Sequence, residues 1–264
     1  GPADPALPDP RIAGAGQAHV LTEDKPKLAS VHHIEQGEVD EEWIMLMTTF
    51  DDWSWTNMLP LPSYFDWVMR RPSIGPYRYF KTLVQYLQWQ DGGKRGRPWI
   101  MKGIGHIANL DSILACFPNA TIVHSHRDPR QTIPSYASFE ANIWSIQSQP
   151  LDPHVVGRET LRMWRIAMER YLEARDRLGV NDRILDVPYE HIRSDPMAAI
   201  RRIYARAGLS LNAAAEKKMQ AWHDTNEQGR FGKHEYSLAE FGLREADIDE
   251  AFRDYIARFV AKAN

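Results

Sequence analysis

The 264-residue chain is short of cysteine: Cys116 stands alone, so no intrachain disulfide can staple the fold. That usage fits a reducing, cytoplasmic setting. A marked excess of charge of either sign is also lacking. Thirty-two Lys and Arg face 35 Asp and Glu, a net −3 with His neutral. Nothing in that balance predicts an electrostatic nucleic-acid binder, although it leaves room for a local basic pocket. No apolar run nears the roughly 20 residues that span a bilayer. Gly1-Pro2-Ala3-Asp4-Pro5 offers neither a basic n-region nor an apolar h-region, so no signal peptide is expected. Internal repeats and low-complexity tracts are missing too. With 43% apolar and 25% charged residues, the composition is that of an ordinary folded domain.

Punctuation and periodicity give the organisation. Residues 1–30, rich in Pro, Ala and Gly, read as an extended arm ahead of a single domain over 31–264. Val39, Trp43, Ile44, Met47 and Phe50 fall at helical spacing, which predicts a helix over 36–50. A short helix over 63–70 follows, with Ser63 as N-cap, and then a longer one over 76–89 with Tyr77, Phe80, Leu83, Val84 and Leu87 on one face. Strands are expected at 98–102, 120–126 and 183–187. Between them lie a helix carrying Ile107 to Phe117, one opened by Asp128-Pro129, and a long one over 153–179. Asp195-Pro196 opens another helix, which Gly208 stops, and two more fall near 212–226 and 244–263. Helices alternating with short buried strands argue for an α/β fold with a parallel sheet.

In such sheets ligands bind beyond the carboxyl ends of the strands. One end runs Lys102-Gly103-Ile104-Gly105-His106; the other runs Arg127-Asp128-Pro129, with Ser135 on the helix behind it. A guanidinium beside a helix N-terminus suits a phosphate dianion, because its fork, the free N–H groups and the helix dipole act together. The competing reading is a surface salt bridge and a packing serine. His124 and His126 share one face of a strand; they read as buried, hydrogen-bonded histidines, and no metal is expected. Trp43, Trp53, Trp55, Tyr64, Trp67, Tyr77 and Tyr79 read mostly as core, and Cys116 as inert packing. Pro134, inside the helix behind Arg127, should kink it.

Trp99-Ile100-Met101-Lys102, His106, Leu110-Asp111, Phe117-Pro118-Asn119-Ala120 and His126-Arg127-Asp128-Pro129 with Ser135 resemble, in order and spacing, the bacterial branch of the PAPS-dependent sulfotransferases (PAPS is 3′-phosphoadenosine 5′-phosphosulfate). Val187-Pro188-Tyr189-Glu190-His191, Ser194-Asp195-Pro196, the segment Gly229 to Ser237 and Glu240-Phe241-Gly242-Leu243 extend the resemblance over roughly 30–260. It implies a P-loop-like, three-layer α/β fold with many flanking helices. It also implies transfer of a sulfuryl group from PAPS, which leaves as PAP, to a hydroxyl or amine of a small molecule, with neither nucleic acid nor membrane as partner. Arg127 and Ser135 would hold the 3′-phosphate, with Arg230, Gly232 and Lys233 beside it and Tyr189 bordering the adenine. His106 would be the base and Lys102 the cation at the transferred group; His33 and Glu35, just ahead of the first helix, read from the sequence either as a surface turn or as an acceptor-side base that could serve in place of His106.

One departure stands out. The family opens with a strand, a glycine-rich phosphosulfate-binding loop carrying Lys or Arg, and a helix, and no such loop precedes the arm here. Gly92-Gly93-Lys94-Arg95-Gly96 precedes a strand instead of joining one to a helix, so it does not replace that loop. Either the upstream loop lies outside this sequence or the chain is a truncated relative. Two other readings therefore stand beside the enzyme: a nucleotide-binding module without catalysis and, less favoured for want of a Walker-type motif, a small-molecule kinase.

Overall fold

Asp and Asn side chains start several helices by accepting the free N–H groups of their first turns. In the computed structural model, which describes residues 41–93, 96–149, 151–226 and 236–261, Asp128, Asp152, Asp195 and Asn212 all do so. The arm at 1–30 lies outside these residues. The described chain clusters in two units: one holds residues up to 118 together with 139–151, the other 119–138 with 152 onward. No described helix is long and apolar enough to cross a membrane.

The first unit is helical: α1 (Trp43–Met47), α2 (Pro62–Met69), α3 (Ile74–Gln90) and α4 (Leu110–Cys116), with 3-10 turns at Trp53–Asn57 and Ile104–Asn109. Its core joins Leu46, Tyr77, Phe80, Val84 and Cys116. Each large apolar side chain so buried stabilises by roughly 1.5–3 kcal/mol. The face expected for the first helix is corrected here. Leu46 points inward while Ile44, on the opposite side of the helix, is exposed; the helix stops at Met47, and Phe50, beyond it, turns into the left-handed region at φ 51° and is exposed too, whereas Val39 lies outside the described residues. Ser63 is not a cap; Pro62 takes the first helical position and Leu61 precedes it. Of the aromatic cluster, Trp53 and Tyr77 are buried, whereas Trp67 and Tyr79 are exposed.

Pro98–Lys102 forms no strand. A strand exists only through its ladder, and here the Lys102 N–H goes to the Glu42 carboxylate at 2.9 Å while Ile100 stands 83% exposed.

The second unit carries the sheet. β1 (Ile122–His126) and β2 (Ile184–Pro188) pair in parallel, from Ile122 opposite Ile184 to His126 opposite Pro188. Between them run α5 (Pro129–Gln147), whose later part belongs to the first unit, and α6 (Pro153–Leu178). Gly179, at φ 60°, ends α6 with its N–H on the Arg175 and Asp176 carbonyls. After β2 come α7 (Tyr189–Ser194), α8 (Pro196–Arg206) and α9 (Ala213–Thr225). The last expected helix is broken into α10 (Glu245–Ala251), a turn Arg253–Tyr255 and a π-helical turn Ile256–Val260. α5 runs on past Pro134, which lies within its first two turns.

Candidate functional site

Two groups of polar side chains stand at the positions singled out above, one in each unit. In the first unit, extended Gly103 turns the chain into the 3-10 segment that carries His106, whose N–H returns to the Gly103 carbonyl. A Cβ on Gly103 would meet the His106 ring at 3.3 Å and the Glu42 carboxylate at 3.5 Å, so glycine lets the imidazole and the carboxylate close over the turn. The Gly105 carbonyl accepts from the Trp53 indole N–H at 2.9 Å and pins the turn from below.

Both nitrogens of the His106 ring are engaged. Nε2 meets Oε1 of Glu42, and Nδ1 meets the Tyr77 hydroxyl at 2.5 Å. The other Glu42 oxygen takes the Lys102 N–H, while the Lys102 ammonium pairs with Glu41. Burial pushes the Glu42 carboxyl upward, but the hydrogen bond and charge of His106 and the Lys102 N–H outweigh it, and the group lies below its ordinary value. The Tyr77 phenol goes the other way: burial first, then the nearby Asp52 carboxylate, raise it far above its usual value, so it stays protonated. Asp52 itself is raised by burial, although its carboxylate accepts from Ser54 N–H at 2.9 Å and from the Ser54 hydroxyl. Sequence reasoning singled out Lys102 and His106 but not Glu42. Sixty-odd residues separate it from both, and an acidic pair ahead of a short helix is commonplace. Tyr77 was legible only as a core residue.

In the second unit, Arg127 follows directly on β1. Asp128 caps α5, its carboxylate accepting the Arg130 N–H at 2.9 Å. The Arg127 guanidinium lies over the Tyr189 ring at 4.6 Å, and its Nε–H reaches Gln131 Oε1 at 3.2 Å. Among the described residues no carboxylate pairs with it, and the half-buried Ser135 hydroxyl has no hydrogen-bond partner. Arg127 and Tyr189 are thus brought together. Arg230, Gly232, Lys233, His33 and Glu35 lie outside the described residues.

Behind Arg127 is a buried network. His126 Nε2 meets Asp186 Oδ1 at 2.7 Å, and Arg175 clasps the same carboxylate at 2.8 and 2.6 Å. His126 Nδ1 reaches the Tyr255 hydroxyl at 3.2 Å and His124 Nδ1 the Tyr171 hydroxyl at 2.8 Å. The two histidines thus have a third group beside them that the sequence spacing did not reveal: their ligand-type atoms and those of Asp186 lie within 4.8 Å. All three carry hydrogen bonds, and Arg175 already neutralises the carboxylate. Burial, then the neighbouring His126, lower His124 to about 3, so it is neutral. Cys116 is buried, and burial raises its thiol, which matches a packing role.

A family model described as "Sulfotransferase family" matches residues 4–213. The omega-hydroxy-beta-dihydromenaquinone-9 sulfotransferase Stf3 of Mycobacterium bovis and that of Mycobacterium tuberculosis are each 28% identical over 135 residues, covering 49% of this chain and 33% of theirs. The match spans about a third of the length of these curated relatives. Among solved structures, sulfotransferase STF9 from Mycobacterium avium is similar with a TM-score of 0.81 and 28% identity, over 95% of this chain and 64% of that one. Sulfotransferase STF1 from Mycobacterium tuberculosis H37Rv shares the fold with a TM-score of 0.73 and 24% identity, over 95% and 66%. With the family model matching well over half its length and a solved sulfotransferase superposing on nearly all of it, the chain belongs to the sulfotransferase family.

Proposed function

We propose that this chain moves a sulfuryl group from PAPS to a hydroxyl or amine of a small-molecule acceptor. One observation carries the reading beyond family membership. The Arg127 guanidinium, at the carboxyl end of β1 and beside the start of α5, has no carboxylate partner among the described residues, and the half-buried Ser135 hydroxyl, likewise without a protein partner among them, lies eight residues on. A cation so placed favours a dianion. We assign the 3′-phosphate to Arg127 and Ser135, with Arg230, Gly232 and Lys233 as further donors and Tyr189 against the adenine. The name of Stf3 describes a hydroxylated acceptor for that protein, which supports a hydroxyl as the acceptor class here. The cytoplasmic setting belongs to the same reading.

In the reaction a lone pair of the acceptor attacks sulfur, the bond from sulfur to the bridging phosphate oxygen breaks, and PAP leaves with that electron pair. Charge grows on the departing phosphate, and the acceptor must shed a proton. Lys102 is exposed and exchanges Glu41 for the departing phosphate. His106 takes the proton. We assign His33 and Glu35 to the acceptor side of the reaction.

The test is calorimetric. Arg127→Ala should weaken PAP binding by roughly 1.5–3 kcal/mol, the loss of a charge-assisted bidentate contact. Radiolabelled PAPS offered with panels of hydroxyl and amine acceptors checks transfer in the same protein. Unchanged PAP affinity in the variant removes Arg127 from the site. PAP binding without transfer to any acceptor favours the non-catalytic module, for which the engaged ring nitrogens of His106 are the supporting observation.

A further inference from the structure

We propose that Glu42 is a positioning residue for His106, setting the imidazole in the Nε2–H tautomer and tying it to the backbone of Lys102. The proposal rests on the transfer role given above to His106 and Lys102.

The geometry leaves little freedom. Glu42 is 7% exposed, and its two oxygens face two different residues of the same loop, Nε2 of His106 and the N–H of Lys102. A buried carboxylate persists only where donors satisfy it, and this one has a donor for each oxygen. An ionised carboxylate accepts and cannot donate, so the proton of the bond to His106 sits on Nε2 of the ring. In the neutral ring Nδ1 is then the lone pair, and the Tyr77 O–H donates to it. The basic atom of His106 is therefore Nδ1, and its availability depends on Tyr77.

The groups facing the ring come from several segments. Glu42 precedes α1; Tyr77 and Phe80 come from α3, with ring centroids 5.6 and 6.2 Å away; Asp52 precedes the Trp53–Asn57 turn; Gly103 underlies the ring edge. Lys102, on the same loop, directs its ammonium to Glu41. Of these, Glu42 is the carboxylate in direct contact with the imidazole.

Glu42→Gln separates positioning from simple packing. An amide offers one oxygen and one NH2 to two donors. It satisfies both neighbours only by accepting from Lys102 N–H and donating to Nε2. That arrangement forces the ring proton onto Nδ1, pointing at the Tyr77 oxygen. The number of hydrogen bonds is kept while the basic lone pair is lost.

The experiment uses the whole protein with 15N-labelled histidine. The wild type should show the Nε2–H tautomer for His106, and Glu42→Gln the Nδ1–H tautomer. With PAPS and an acceptor, kcat should fall about 10²–10⁴-fold, the range for loss of a positioned base. PAP affinity should stay within about twofold. Glu42→Asp keeps the charge and both acceptor oxygens, so it should recover part of the rate and the wild-type tautomer. An Nδ1–H ring in the wild type overturns the proposal, as does an unchanged tautomer in Glu42→Gln. If Glu42→Gln fails to fold, the wild type and Glu42→Asp spectra decide. If no acceptor is sulfated, the transfer role of His106 fails, while the tautomer measurement still judges Glu42.

Discussion

Asp186 serves three donors on one carboxylate: two N–H groups of Arg175 and Nε2 of His126. Burial pushes its carboxyl upward, but the Arg175 fork and the His126 hydrogen bond reverse this and hold it well below the usual carboxylate range. The folded state thus binds this proton less readily than the unfolded chain does. The stabilisation is complete above the ordinary Asp value, near 3.9, and fades as the pH falls toward the folded-state value. Asp186→Asn should therefore destabilise at pH 7. The loss should sit toward the lower end of the roughly 3–5 kcal/mol seen when one partner of a buried pair is removed. Arg175 is 3% exposed, whereas the Asp186 side chain is 32% exposed and partly screened. Urea unfolding at pH 7 and at pH 3 checks this: the deficit should narrow at the lower pH, and equal deficits would contradict the ion-pair account. At this scale the sequence marked residues whose types suit the chemistry but not what they touch. Arg127, Ser135, Lys102 and His106 stood out by type and spacing. Glu42 pairs with a histidine 64 residues away, and Asp186 with one 60 residues away. Nothing local marks either acid.

Among the elements, α6 shows how one position sets a packing distance. A Cβ on Gly157 would stand 2.1 Å from the Phe241 carbonyl oxygen and 2.8 Å from its Cβ, so the helix lies directly against the backbone of the Ala239–Phe241 turn. In an exposed helix Gly→Ala gains about 1 kcal/mol from propensity. Here overpacking costs about 1–3 kcal/mol or more, and backbone, unlike the end of a flexible side chain, has little room to yield. Gly157→Ala should lower the unfolding midpoint in thermal and denaturant melts; an unchanged or raised midpoint would show that the turn moves away at little cost. The element boundaries that were legible are those with local causes: Asp128, Asp152, Asp195 and Asn212 start helices, and Gly179 and Gly208, both at positive φ, end them. The segment 98–102 misled because its apolar residues promise a strand, whereas a strand is decided by a neighbour.

For the molecule as a whole, a ligand that binds only the folded state stabilises it by mass action. At a hundredfold excess over its Kd, PAP should add about 2.7 kcal/mol, and in Arg127→Ala at the same concentration less than about 1.4 kcal/mol. A thermal-shift titration reads both values, and equal shifts would place PAP elsewhere. The amino-acid sequence by itself determined the α/β alternation, the parallel pairing of the strands around 122–126 and 184–188, and the order of motifs that marks the family. These follow from caps, stops, periodicity and spacing, which act over a few residues. Tertiary structure alone decided that Pro98–Lys102 gives its N–H to a carboxylate, that Leu46 and not Ile44 or Phe50 enters the core, and that His106 sits between Glu42 and Tyr77. Each of these depends on groups far apart in the chain, whose meeting is set by how the helices pack.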